Sequence, residues 1–170
     1  MTYQDLPGFS RQEVMRLTGL PNHRLTYLQR TGIIVPESIK PKDYVKPFPR
    51  YSWHQILEIK AIEDLRSKDV SLQKVRLLMD FLKKHSNDPR LHTNNLALID
   101  DRIFWVCNEG DLEKCFIECL GKHQGQVTIA EVILIKNPSE EIWQTAKQDN
   151  VIDFATFKSR VDQATMLKSA

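Results

Sequence analysis

The sequence predicts an α+β protein: a helical front half carrying a small β-ribbon, then a rear half in which strands and helices mix. Three observations carry this reading. Residues 9–34 hold two apolar-periodic stretches separated by Gly19, Leu20 and Pro21. The segment after Pro36 sets Pro41, Pro47 and Pro49 among lysines, which no helix tolerates. Past residue 95 the apolar residues run consecutively, in "LALIDDRIFWVC" and "QVTIAEVILI", as they do in strands covered on both faces.

The first helix has a clear start. Ser10 is a good N-cap, and Glu13 three residues on completes a capping box. Val14, Leu17 and Leu20 form its apolar edge, and Gly19 stops it. A second helix starts near Pro21–Asn22, turns Leu25 and Leu28 inward and ends at Gly32. Both are shorter than the roughly 12–15 residues an isolated helix needs in water, so they must be held against each other and a third element. Asn22, His23, Arg24, Thr26, Tyr27 and Arg30 stay outside, and no acidic residue stands between Glu13 and Glu37. A helix-turn-helix needs this layout, with its second helix in a DNA major groove. An ordinary helical hairpin with a solvated polar face is the plain alternative.

Ile39 and Tyr44–Val45 suggest a two-stranded ribbon bearing Lys40, Lys42, Lys46 and Arg50, a wing for the sugar-phosphate backbone. A solvated lysine loop is the alternative. Ser52 and Gln55 form a second capping box, opening a helix to about Lys68 that buries Trp53, Ile56, Leu57, Ala61, Ile62 and Leu65. Ser71 caps a further helix to about His85, with Leu72, Val75, Leu78, Met79 and Leu82 as its core stripe. "SNDPRLHTNN" reads as the linker, which divides the chain into 1–85, 86–95 and 96–170. In the rear half a β-hairpin is expected around Asp100–Asp101–Arg102, followed by a helix from Asp111 to about Lys122 with Leu112, Cys115, Phe116, Cys119 and Leu120 inside. A strand, a helix capped by Ser139 and a last helix from about Asp153 to Leu167 complete it. The last helix carries Phe154, Phe157, Val161 and Ala164 on one stripe.

Composition narrows the class. With 27% charged and 41% apolar residues over 170, the chain is ordinary for a soluble globular protein. No run of about 18 apolar residues exists for a membrane span. "MTYQDLPGFS" has neither a basic n-region nor an apolar h-region, so no secretory signal is expected and the cytoplasm is the default. Three cysteines are then expected as reduced thiols. The net charge of +2 hides an asymmetry: residues 1–85 carry 15 Lys+Arg against 9 Asp+Glu, and residues 86–170 carry 9 against 13. A basic front and an acidic rear suit a polyanion binder joined to something with another job.

Residues 9 to about 85 resemble the DNA-binding domain of the MerR family of transcription regulators. "EVMRLTGL" is similar to the family's Glu-Val-Ala-x-x-Thr-Gly-Val, and "LTYLQRTGIIVP" to its Leu-Arg-Tyr-Tyr-Glu-x-x-Gly-Leu-Leu-x-Pro. "RYSWHQILEIKAIEDLRSKDVSLQKVRLLM" is similar to its Arg-x-Tyr-Ser, long helix and Phe-Ser-Leu-x-x-Ile segment. The departures matter: the family's recognition-helix Arg falls on Thr26, its second Tyr on Leu28 and its Glu on Gln29. Base contacts therefore do not carry over, and Arg24 is the candidate replacement. Tyr27, Arg50, Tyr51 and Ser52 match, which implies phosphate contacts or their supports. The family continues into a long helix that pairs with its twin, whereas "SNDPRLHTNN" interrupts that helix here. In size and layout the chain is also similar to MerR-type repressors encoded beside CRISPR-associated transposons.

The expectation is a homodimeric, cytoplasmic regulator, a repressor on a palindromic operator, partnered by double-stranded DNA and needing no cofactor. Arg11, Arg16, Arg24, Arg30, Lys40, Lys42, Lys46 and Arg50 supply charge; Asn22, His23, Thr26 and Tyr27 face the bases, with Tyr51 beside them. Phe104, Trp105, Phe154, Phe157 and Val161 are the candidate dimer interface, because consecutive apolar runs need a cover on both faces. An antitoxin-type autoregulator whose rear half binds a protein partner is the rival. Metal-sensing relatives use Cys-x7-Cys, the spacing of Cys107 and Cys115, and Cys115, Cys119 and His123 recur every four residues. Core packing of these thiols is the plainer reading. No Gly-rich phosphate loop, zinc-protease motif or Ser-His-Asp signature marks an enzyme.

Overall fold

The computed structural model describes residues 6–99, 101–107, 115–120, 127–128, 138–148 and 152–166. The chain folds as two compact units, one of Met1–Glu63 with Pro138–Ala170, the other of Asp64–Asn137.

The first unit opens with α1 (Arg11–Thr18) and α2 (Asn22–Arg30). The Ser10–Glu13 capping box forms, and Gly19 closes α1 in the left-handed region at φ 73°. At the end of α2, Gly32 (φ 72°) donates to Gln29 O and Ile33 to Leu28 O, the two bonds of a Schellman motif. Val14, Leu17, Leu20, Leu25 and Leu28 are buried, so the apolar edges read from the sequence face the core. The ribbon differs from expectation. It pairs β1 (Glu37–Ile39) with β2 (Phe48–Arg50), Ile39 opposite Phe48, and Tyr44–Val45 lie in the turn between them. Tyr44 serves the ribbon by setting its ring edge-on against Phe48 at 5.0 Å instead of by pairing its backbone.

The second capping box, Ser52–Gln55, opens α3 (Trp53–Ser67), and α3 runs across the boundary between the units. Ile56, Ile59 and Ile62 along it are fully buried. The first unit is completed by α5 (Ser139–Gln148) and α6 (Phe154–Met166). Here the contacts divide the chain differently from the linker reading, which grouped 96–170 together. Aromatic packing is the reason: Phe157 meets Trp143 at 4.9 Å, Trp53 at 5.7 Å and Phe9 at 5.9 Å, which ties both ends of the chain into one core. Phe157 is wholly buried and Val161 nearly so within the single protomer, so neither offers its side chain to a twin; Phe154 remains half-buried.

The second unit holds α4 (Leu72–His85) and an antiparallel sheet in the order β3 (Asn95–Ile99), β4 (Arg102–Cys107), β5 (Cys115–Glu118), β6 (Val127–Thr128). Ser71 caps α4 as expected, and Val75, Leu78 and Leu82 are buried. The hairpin turns at Asp101, left-handed at φ 61°. Ala97, Phe104 and Val106 form a buried cluster, which takes Phe104 off the surface, while Trp105 stays half-exposed. The expected helix across Cys115–Phe116 is corrected: those residues are strand, pairing Val106 with Phe116 and Cys107 with Cys115. The segment read as a linker is folded too, with a short 3-10 turn at Leu91–Thr93 and Asn94 Nδ2 donating to Asp88 O and Arg90 O.

Candidate nucleic-acid interface

Arg11, at the first position of α1, builds the angle between the two helices. Its Nε donates to Asn22 Oδ1 at 2.8 Å and Nη2 to Asn22 O at 3.0 Å, both at the start of α2. Nη2 also reaches Thr26 Oγ1, and Nη1 reaches Gln29 Oε1 at 2.6 Å one turn further along. Gln29 Nε2 then donates to Tyr51 OH at 2.7 Å, which carries the chain of bonds to the residue between ribbon and α3. A planar guanidinium with five donors in a fixed fork is suited to this task, since each bond fixes a direction as well as a distance. Tyr51 is buried, and its main chain exchanges two 2.8 Å bonds with Phe9. Burial pushes its phenol above its ordinary value, against the charge and hydrogen bond of Arg11, which lower it.

The network sorts the expected DNA-contact residues. Arg11, Asn22 and Thr26 are engaged with one another, and Tyr51 supports them from behind. Arg50 is corrected from phosphate contact to internal strut: it is 2% exposed and donates to the carbonyls of Pro7, Leu6 and Gly8 at 2.9, 3.0 and 2.7 Å. Arg24 is exposed but bound to Glu63 of α3 at 2.7 Å. His23, Tyr27 and Arg30 are exposed on α2, and 23, 27 and 30 share one helical face. Arg16, Lys40, Lys42 and Lys46 are exposed as well, the lysines around the ribbon turn. Four residues escaped the sequence reading. Gln29 stands out in the sequence only as a departure from the family pattern, and Glu63, Gly8 and Arg160 act through partners far away in the chain, which no local spacing reveals.

Arg160 of α6 binds both carboxylate oxygens of Glu13 at 3.1 Å, and the same Glu13 Oε2 accepts the Ser10 amide at 2.6 Å. The capping box of α1 is thus held from the other end of the chain. The guanidinium also lies over the Phe9 ring, 5.5 Å from its centroid.

For metal, no group of three candidate ligands forms among the described residues. The strand at Cys115 removes the helical face that was to gather Cys115, Cys119 and His123. Cys119 is buried and donates to Ile117 O, as a packed thiol does; His123 lies outside the described residues. No helix among the described residues is long and apolar enough to cross a membrane.

A family model described as MerR HTH family regulatory protein matches residues 9–82, from the Phe9 bridge to the last turn of α4. No curated protein matches the chain. The match covers both helices, the ribbon, α3 and most of α4, and the family's members regulate transcription by binding DNA. Residues 9–82 are a MerR-family helix-turn-helix DNA-binding domain.

Proposed function

We propose that the protein is a homodimeric transcription repressor that places α2 in the major groove of each half of a palindromic operator and sets the ribbon turn on the flanking backbone. The observation that carries this is the Arg11 network, which locks α2 to α1 and to Tyr51 and leaves His23, Tyr27 and Arg30 exposed on one face. One such helix covers a single half-site, and two-fold symmetry doubles both phosphate neutralisation and base reading. Because α4 ends after 14 residues, the sheet unit, with half-exposed Trp105, is the better candidate for joining two copies than a long coiled coil. Repression is the output that asks least of such a dimer, since occupancy alone excludes polymerase.

A gel shift on the gene's own upstream region tests the reading. A complex should form at or below micromolar protein and weaken with salt, log affinity falling by about 0.9 per phosphate contact for each log unit of salt. Lys42→Ala should weaken binding to cognate and scrambled DNA alike and reduce that slope by about one contact. Absence of any salt-sensitive complex would remove the proposal, and a reporter silenced by deleting the gene would turn repressor into activator.

A further inference from the structure

The Arg11 network holds one flank of α2, through Asn22, Thr26 and Gln29. Arg24 ties the other flank to α3: its Nη1 donates to Glu63 Oε2 at 2.7 Å. The turn of an α-helix puts Arg24 about 100° round from His23, so His23, Tyr27 and Arg30 face outward between the two ties. The Glu63 side chain keeps only 17% of its surface exposed, against 45% for Arg24. Among the described residues this is the one side-chain hydrogen bond of Arg24, so its Nε–Nη2 edge stays open. Arg102 uses that same edge elsewhere in the chain, gripping both oxygens of Glu118 at 2.9 and 2.7 Å. Two parallel donors match two acceptors side by side, and in the major groove guanine O6 and N7 are such a pair.

We propose that Glu63 is a positioning residue: it makes Arg24 a reader of guanine and keeps it off phosphates. The proposal rests on the function given above. Arg24 leaves Glu63 only by stranding a carboxylate that is mostly out of water, and an uncompensated charge there is costly. The arginine therefore binds DNA while still paired. A phosphate drawn to the open edge meets the negative charge of Glu63 close behind it and is repelled, whereas the neutral edge of guanine is not. The same carboxylate fixes the arginine rotamer, so little of its freedom is left to lose when the base arrives.

The test titrates the full-length protein into the gene's upstream region amplified with dGTP or with 7-deaza-dGTP, which removes the N7 acceptor, and into a scrambled fragment of equal length. The parent should bind the deaza fragment about tenfold more weakly or worse. Arg24→Lys keeps the charge and a partner for Glu63 but lacks the parallel donors. It should lose most of that penalty and hold its affinity for scrambled DNA. Glu63→Gln keeps the size of the side chain and removes its charge. It should tighten scrambled DNA severalfold and the upstream region by less, and cut the deaza penalty to about threefold or lower. A Glu63 that merely masks Arg24 would tighten both DNAs by one factor and leave the penalty untouched, which would overturn the proposal. So would a penalty that survives in Arg24→Lys, or a parent that prefers the upstream region and shows no penalty. A parent that binds neither DNA removes the function itself and the proposal with it.

Discussion

At the scale of single residues, an arginine's role is decided by what lies within reach of its guanidinium, and the sequence does not contain that. Arg11, Arg24 and Arg50 read alike as cations of a basic face. The structure gives one to a network, one to a carboxylate and one to three carbonyls. On the proposed function Arg24 is the one that would reach DNA, because its pair with Glu63 is 45% exposed on the arginine side and such surface pairs contribute only about 0–1 kcal/mol. Arg24→Ala should cost roughly 1–3 kcal/mol on cognate DNA and little on scrambled DNA, and Glu63→Gln should tighten binding to both. Equal loss of Arg24→Ala on the two DNAs would show a phosphate contact instead. Tyr51 makes a pH prediction. Its phenol titrates higher in the folded protein than in the unfolded chain, chiefly through burial. Its contribution is complete below about pH 10 and is lost as pH rises from there through the folded value. Tyr51→Phe should therefore cost about 1 kcal/mol at neutral pH, from the bonds lost with Gln29 and Arg11, and the gap between variant and parent should narrow above pH 10. Denaturant titrations at pH 7 and 11 measure both terms.

Elements with local causes were legible and elements with distant causes were not. Both capping boxes, the Gly19 and Gly32 stops, the Ser71 cap and the hairpin at Asp101 stand where neighbouring residues dictate them. The ribbon's second strand reads at Tyr44–Val45 and stands at Phe48–Arg50, because Phe48-Pro-Arg50 reads as a loop until Glu37–Ile39 is beside it. Cys115–Glu118 fits a helix face and a strand equally well over four residues, and pairing with β4 decides the matter. Gly8 went unremarked in the sequence although the join between the N-terminal segment and the ribbon depends on it. It sits at φ +71°, and a Cβ there would lie 2.7 Å from the Tyr51 carbonyl oxygen, the atom that accepts the Phe9 amide. Gly8→Ala adds a strained backbone to a contact with main chain that no side-chain rotation relieves, and should cost about 2–3 kcal/mol or more. Thermal unfolding reads it, and Gly19→Ala, with open space around its Cβ site, is the control that isolates backbone strain.

At the scale of the whole chain, the last helix belongs to the helix-turn-helix unit, and this changes what its removal does. From the sequence α6 is a candidate for lying on a twin, because the consecutive apolar runs of the rear half need a cover on both faces and Phe154, Phe157 and Val161 share one stripe. The stripe is instead spent on Phe9, Trp53 and Trp143, and Arg160 closes the same seam on Glu13 with both side chains largely out of water. Phe157→Ala removes a fully buried ring from that cluster and should lower stability by about 3–5 kcal/mol, the usual cost of such a cavity. A fragment of residues 1–85 lacks α5 and α6 altogether, exposing Phe9 and Trp53 that are otherwise buried. It should therefore melt well below the full chain and bind DNA weakly, even at concentrations where a merely monomeric domain would still bind a half-site. Calorimetry beside DNA anisotropy separates the two causes. A fragment that melts as high as the full chain, yet binds weakly, would show that α6 is dispensable to the fold and that only the second copy is missing.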